Sequence, residues 1–100
     1  MSELCLTLLC PPAIEEKLFD FLLMLPNTTV FTSTPTAAHG LVVWNLSPAE
    51  QVMGRAQATE IKVIFAATDK AALLDAIRQQ LAGTGLRYWV TTVVEAGEIA

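Results

Sequence analysis

The order of apolar patterns along the chain constrains the fold more than any single motif. Four segments have the alternating or continuous apolar character of strands, and two repeat apolar residues at helical spacing. The predicted strands are residues 3–10, 28–35, 57–67 and 86–94; the predicted helices lie between Pro12 and Pro26 and over residues 70–82. Two strand–helix–strand crossovers joined by a hairpin predict an α+β, ferredoxin-like βαββαβ sandwich, with an antiparallel sheet and both helices on one face. One hundred residues make one domain, 1–100.

Local signals mark the helix ends. Pro11 and Pro12 suit the start of the first helix, because no backbone N–H is needed in that turn. Thr68-Asp69 is predicted to cap the second helix, and Gly83 to follow its last turn.

The chain is unusually apolar for its size. Hydrophobic residues make up 53% of it, and its mean hydropathy is +0.49. A domain this small buries only roughly 60–65% of the surface of its unfolded chain, so apolar surface should remain. No apolar run reaches the ~20 residues of a membrane span. The start of the chain lacks the basic residues of a signal peptide, so we predict a cytoplasmic protein without membrane insertion. Self-association would cover the sheet face that has no helices.

Charge and cysteine content exclude other classes of function. The net charge is −4 and the six basic residues are scattered, so nucleic-acid binding is not expected. Cys5 and Cys10 show no zinc-type spacing. They are an odd number of residues apart and should point to opposite faces of a regular strand, where they cannot bridge within one chain.

The connection between the two middle strands is the candidate functional segment. It covers about residues 36–56, where a connection of ~2–5 residues would suffice. Ser47-Pro48-Ala49-Glu50 fits a capping box, which predicts a short helix from Pro48 to about Met53, stopped by Gly54. The residues predicted to contact an effector or partner are His39, Gly40, Trp44, Glu50 and Arg55.

Each of these residues allows more than one role. His39 is either a hydrogen-bonded loop residue or a soft-metal ligand with Cys5, Cys10 or Met53, a donor set that suits Cu(I). Arg55 either binds an anion or pairs with Glu50 across the end of the short helix. Trp44 is either a packing residue or a stacking platform. No nucleophile–base pair and no paired acids can be assigned, so no catalytic residue is predicted.

The chain resembles the PII-like signal-transduction superfamily over nearly its whole length. The resemblance lies in the element order, the long loop and the final segment YWVTTVVEAGEI. More closely, the chain is similar to a small PII-like family whose members are often encoded beside heavy-metal efflux systems. The segments that carry this similarity are HGLVVWNLSPAEQVMGRAQ and LRYWV. The resemblance implies a homotrimer whose sheets line the centre, and long loops that engage effectors or a partner protein such as a transporter.

The chain also departs from the PII pattern. Its loop lacks the Tyr that PII proteins modify, and the glycine-rich, lysine-containing nucleotide loop is reduced to Gly83-Thr84-Gly85, with Arg87 as the nearby cation. The basic C-terminal segment is absent after Val94. Nucleotide binding is therefore predicted to be weak or absent.

Two functions follow as hypotheses. The first is a non-enzymatic PII-like signalling or adaptor protein without a cofactor, whose loop senses a small effector or binds a partner protein, with a link to metal homeostasis. The alternative is a soft-metal, copper-type binding protein related to cation tolerance, for which His39, Cys5 and Cys10 would supply ligands.

Overall fold

The computed structural model describes residues 2–26, 30–40 and 47–100. Their seven main elements follow the predicted order, including the short helix predicted between the middle strands. In chain order they are β1 (Glu3–Cys10), α1 (Glu15–Leu23), β2 (Phe31–His39), α2 (Pro48–Met53), β3 (Arg55–Ala66), α3 (Lys70–Leu81) and β4 (Arg87–Val93). One turn of 3-10 helix precedes α1 at Pro12–Ile14 and α3 at Ala67–Asp69.

The four strands form one antiparallel sheet in the order β2-β3-β1-β4. Alternate residues of β1 and β3 point to the side that carries α1 and α3, because side chains in a strand alternate between its two faces. The core on that side comprises Leu6, Leu8, Cys10, Leu18, Leu22, Ile61, Val63, Leu73, Leu74, Ile77 and Leu81. The predicted ferredoxin-like fold is confirmed.

The opposite face of the sheet carries neither α1 nor α3, and we call it the open face. Cys5, Thr7 and Leu9 of β1 belong to it, since Leu6, Leu8 and Cys10 lie in the core. Thr7 is flanked across the strands by Lys62 and Trp89. Trp89 is 45% exposed and Ile64 37% exposed, so large apolar side chains on this face contact solvent in a single chain.

The hairpin between β2 and β3 is longer than predicted. The expected loop over residues 36–56 is wrong at both ends, because β2 continues to His39 and β3 begins at Arg55. These two residues face each other as the last pair of the ladder. The extension carries small or polar residues, so it lacks the alternation of large apolar side chains that marks a strand. Its stem is nevertheless closely packed, since Ala38 and Ala56 are buried.

Two local predictions about the helix ends have different outcomes. The capping box and the short helix over Pro48–Met53 are confirmed, and Gly54 ends that helix with φ +71°. The predicted cap of α3 is wrong: the Asp69 side chain makes no capping hydrogen bond, because a 3-10 turn leads into the helix there. Tyr88 of β4 is 44% exposed, and its hydroxyl accepts a hydrogen bond from Arg78 Nη2 at 3.1 Å.

None of the helices in the described ranges has the length and apolar character needed to cross a membrane.

Candidate functional site

The short helix α2 is fixed at its start by reciprocal hydrogen bonds. The backbone N–H of Glu50 donates to Ser47 Oγ at 3.2 Å, and the backbone N–H of Ser47 donates to Glu50 Oε1 at 3.0 Å. These bonds satisfy two N–H groups that the first helical turn leaves without partners. A six-residue helix with no buried side chain is therefore defined by its cap rather than by the core.

Glu50 also joins α2 to the sheet. Its second oxygen, Oε2, accepts a 2.8 Å hydrogen bond from the backbone N–H of Gln57 in β3. Strand β1 pairs with β3 only as far as Thr59, so Gln57 lies beyond the end of that ladder. The N–H groups of Ser47 and Gln57 stabilise the charged carboxylate and lower the pKa of Glu50. Both oxygens of this predicted effector residue therefore hold the hairpin together.

His39 and Arg55 form a cross-strand pair at the far end of the stem. Both side chains are exposed and, as directly paired residues, they lie on the same face of the hairpin. Arg55 does not pair with Glu50: its Nη2 lies 4.0 Å from Met53 Sδ, a neutral and weak acceptor. Gly40 follows His39 with φ +77° and turns the chain out of the strand. The predicted site residue Trp44 lies outside the described residues.

The three residues predicted to bind a soft metal lie at different positions along the direction of the strands. His39 is level with Arg55 of β3, Cys10 with Thr59 and Cys5 with Ile64. At ~3.3 Å per residue, these levels put Cys10 roughly 13 Å and Cys5 roughly 30 Å along the sheet from His39. Within the described ranges, no group of three or more His, Cys, Asp or Glu residues is arranged to hold a metal ion. One chain does not bring these three donors together.

A cleft of about 590 Å³ lies at the base of the hairpin, where β1 ends and β4 begins. Two walls are apolar and come from the open face and the Pro11-Pro12 turn; the turn Gly83–Gly85 supplies a third. Its charged or titratable lining groups are Cys10, Glu50 and Arg87. The remaining lining residues are Leu9, Pro11, Pro12, Ala13, Ala38, Ala56, Gln57, Ala58, Gly83, Thr84 and Gly85.

The thiol of Cys10 is in an unreactive form. It is fully buried and donates a hydrogen bond to the backbone oxygen of Pro11 at 3.2 Å. Burial, with a smaller contribution from the charge of Glu15, raises the pKa of Cys10 to about 11. At neutral pH the group is a protonated thiol, whereas nucleophiles and metal ligands are thiolates.

Sequence reasoning missed several residues of the site. Gln57 contributes through its backbone N–H, which every non-proline residue has, so its side chain gives no signal. Ala38 and Ala56 line the cleft because they are small. The register that aligns them is visible only after the loop prediction is corrected.

Several solved structures are similar to this fold but share little sequence with it. A DUF3240 family protein from Shewanella baltica OS155 is 19% identical, with a TM-score of 0.82 over 100% of this chain and 99% of that one. A protein from Thermus thermophilus, described as PII-like and signalling, is 15% identical, with a TM-score of 0.67 over 93% of this chain and 88% of that one. GlnK of Bacillus subtilis, solved as an ATP complex, is 13% identical, with a TM-score of 0.67 over 92% and 82% of the two chains.

No curated protein matches the sequence. The family described as "Protein of unknown function (DUF3240)" matches residues 1–100, the whole chain. At these identities the solved structures establish only the fold, which is that of the PII-like signalling proteins. Because the match to the DUF3240 family covers the whole chain, the protein belongs to that family.

Proposed function

We propose that this protein is a non-enzymatic PII-like regulator whose β2–β3 hairpin, with α2 at its end, binds a partner protein in response to a small effector. The observation that carries the proposal is how α2 is held. Glu50 ties the helix to β3, while Val52 and Met53 remain 89% and 56% exposed. A helix that is fixed in place but keeps apolar side chains in solvent has the properties of a docking element.

The cleft at the base of the hairpin is the proposed effector site. It shares Glu50 and Gln57 with the tie between α2 and β3, so an occupant could alter how α2 is held. GlnK, which has a similar fold, is solved with ATP. Among the described residues of this chain, Arg87 is the only cation that lines the cleft, so the proposed effector carries less negative charge than a nucleoside triphosphate.

A binding role agrees better than catalysis with the chemistry of the cleft. Cys10 is held as a protonated thiol, and the backbone hydrogen bonds that lower the pKa of Glu50 make its carboxylate a weaker base. The cytoplasmic location, the partner's identity, such as a transporter, and the link to metal homeostasis are part of the same proposal.

Cross-linking at single positions tests the partner interaction. A photoreactive amino acid at Val52 should capture a protein in cells, and the same group at Leu23, which is 66% exposed on α1, should not. The captured protein is then purified and its affinity measured for the wild type and for Val52→Asp. A loss of about tenfold or more would support docking through α2, because buried apolar anchors dominate interface energies. Equal affinities, or no capture specific to Val52, would refute it.

A further inference from the structure

His39 and Arg55 form a cross-strand pair of two basic residues. They are the only histidine of the chain and the only arginine before Arg78, and they face each other in an antiparallel ladder. Directly opposed side chains have Cβ atoms ~4.5–5.5 Å apart. A guanidinium and an imidazole on the same face of a hairpin can both donate hydrogen bonds to one anion. The pair is therefore placed to hold an anion between its two side chains.

The nearby carboxylate of Glu50 does not occupy that position. It accepts hydrogen bonds from the backbone N–H groups of Ser47 and Gln57, and among the described residues no ion pair joins it to Arg55. Arg55 Nη2 instead lies 4.0 Å from a thioether, Met53 Sδ. Two other cations of the described residues are differently placed: Arg78 pairs with Asp75 at 3.3 Å, and Lys62 pairs with Glu60 at 3.5 Å.

A groove beside Arg55 provides room for the rest of a ligand. It holds about 580 Å³ between α2 and the stem. Ala37, Ala49 and Ala56 contribute small apolar surfaces, and Ser47 and Gln57 contribute polar groups. Met53 and the Glu50 carboxylate, which is hydrogen-bonded to backbone N–H groups, complete the lining. This groove differs from the cleft at the base of the hairpin, because neither the Gly83–Gly85 turn nor Arg87 lines it.

We propose that His39 and Arg55 bind the oxyanion group, a phosphate or carboxylate, of a small ligand whose remainder lies in the groove under α2. The guanidinium presents donors in a planar fork that matches two oxygens of such a group, and an N–H of the imidazole adds a third donor from the opposite strand. The site deepens the proposed function, since it lies on the hairpin assigned to partner binding. Anion binding itself can be measured without a partner, so the two ideas fail separately.

The test uses the full chain and follows the His39 ring protons by NMR at about pH 6. Inorganic phosphate and succinate are titrated in separate series, which tells phosphate from carboxylate recognition. The variants are Arg55→Gln and His39→Gln, the latter followed at the backbone amide of residue 55. Arg78→Gln is the matched control, because it removes the same charge from an arginine on α3.

Saturable shifts with at least one probe are expected in the wild type and in Arg78→Gln. Arg55→Gln should weaken binding by about tenfold or more and His39→Gln by about threefold, in line with charge-assisted hydrogen bonds. If Arg55→Gln does not fold, the His39→Gln result decides alone. The proposal is overturned if neither probe saturates, or if the folded hairpin variants bind as tightly as Arg78→Gln.

Discussion

Glu50 Oε2 accepts a 2.8 Å hydrogen bond from the backbone N–H of Gln57, seven residues further along the chain. The same carboxylate closes the capping box with Ser47, so one side chain connects the start of α2 to β3. Helix α2 has no buried residue and makes no contribution to the core cluster. Its position therefore depends on polar contacts, and the first predictions concern this carboxylate.

Glu50→Gln should release α2 while leaving the domain folded. A neutral amide keeps one acceptor oxygen, so it cannot replace both charge-assisted bonds. We expect faster hydrogen exchange at the amides of Ser47 and Gln57, with little change in melting temperature. Glu60→Gln, which removes a surface carboxylate paired with Lys62 on the same strand, is the control. Exchange equal to that of the wild type at Gln57 would mean that Glu50 does not hold the helix.

The tie should also depend on pH. The N–H groups of Ser47 and Gln57 lower the pKa of Glu50 in the folded protein, so folding favours its charged form. The tie is therefore present at neutral pH and is lost as the pH falls through the lowered pKa. Titration of the Gln57 amide shift should give a midpoint below the ~4.3 of an unperturbed glutamate. A midpoint at or above that value would contradict the assigned hydrogen bonds.

The end of the β2–β3 hairpin should be removable without unfolding the domain, but the deletion must be shorter than the predicted loop boundaries suggest. Removal of residues 37–55, which the predicted loop boundaries would suggest, deletes the buried Ala38. Because His39 and Arg55 are paired, a two-residue Asn-Gly turn can join them directly in place of residues 40–54. The shorter connection lowers the loop-closure cost by about 2 kcal/mol, so the variant should stay folded.

This replacement also tests whether partner binding depends on the hairpin while folding and oligomerisation depend on the sheet. The variant should keep its oligomeric state in sedimentation and its thermal transition, but lose partner binding because α2 is gone. Intact partner binding would remove the functional claim for α2. An unfolded or dissociated variant would show that residues 40–54 belong to the architecture.

The sequence predicts the sheet better than the site, and there is a physical reason. Ile61 and Val63 alternate with polar residues because one face of β3 covers the core, and that alternation is visible in the sequence. Beyond Thr59 the strand no longer has β1 as a neighbour, so its side chains do not need the same pattern. The cleft unites residues from distant segments, such as Leu9 and Arg87, and only the strand register brings them together.

Nucleotide binding should be weak or absent. A triphosphate carries several negative charges, and Arg87 is the one cation lining the cleft in the part of the chain that the structure describes. Calorimetry with ATP and ADP should show no saturable binding at micromolar concentrations. Micromolar affinity that survives Arg87→Gln would show instead that the backbone N–H groups of the Gly83–Gly85 turn are sufficient donors.

The soft-metal prediction stays open, and the structure sharpens its test. Cys5 and Cys10 lie on opposite faces of β1, and His39 lies far from both along the sheet. One chain therefore cannot use all three donors at once. If Cu(I) binds, Cys5→Ser should weaken it, because Cys5 is partly exposed, while Cys10 is buried and protonated. His39→Ala and Cys10→Ser complete the series. Equal Cu(I) affinity in all three variants would confine these residues to structural roles.

The open face of the sheet should be an interface in a homotrimer. Trp89 and Tyr88 are neighbours in β4 with nearly equal exposure, 45% and 44%, but alternate residues of a strand point to opposite faces. Trp89 lies on the open face across from Thr7, whereas Tyr88 lies on the helix side and accepts a hydrogen bond from Arg78. This pair of positions allows a matched comparison of the two faces.

We expect sedimentation of the wild type at micromolar concentration to give a trimer. Trp89→Asp should dissociate it, because a charge placed where an aromatic residue is buried between subunits costs about 2 kcal/mol or more per site. Tyr88→Asp should leave the mass unchanged, since its side chain faces away from the proposed interface. A monomeric wild type would remove the trimer prediction, and dissociation by Tyr88→Asp alone would place the interface on the helix side of β4.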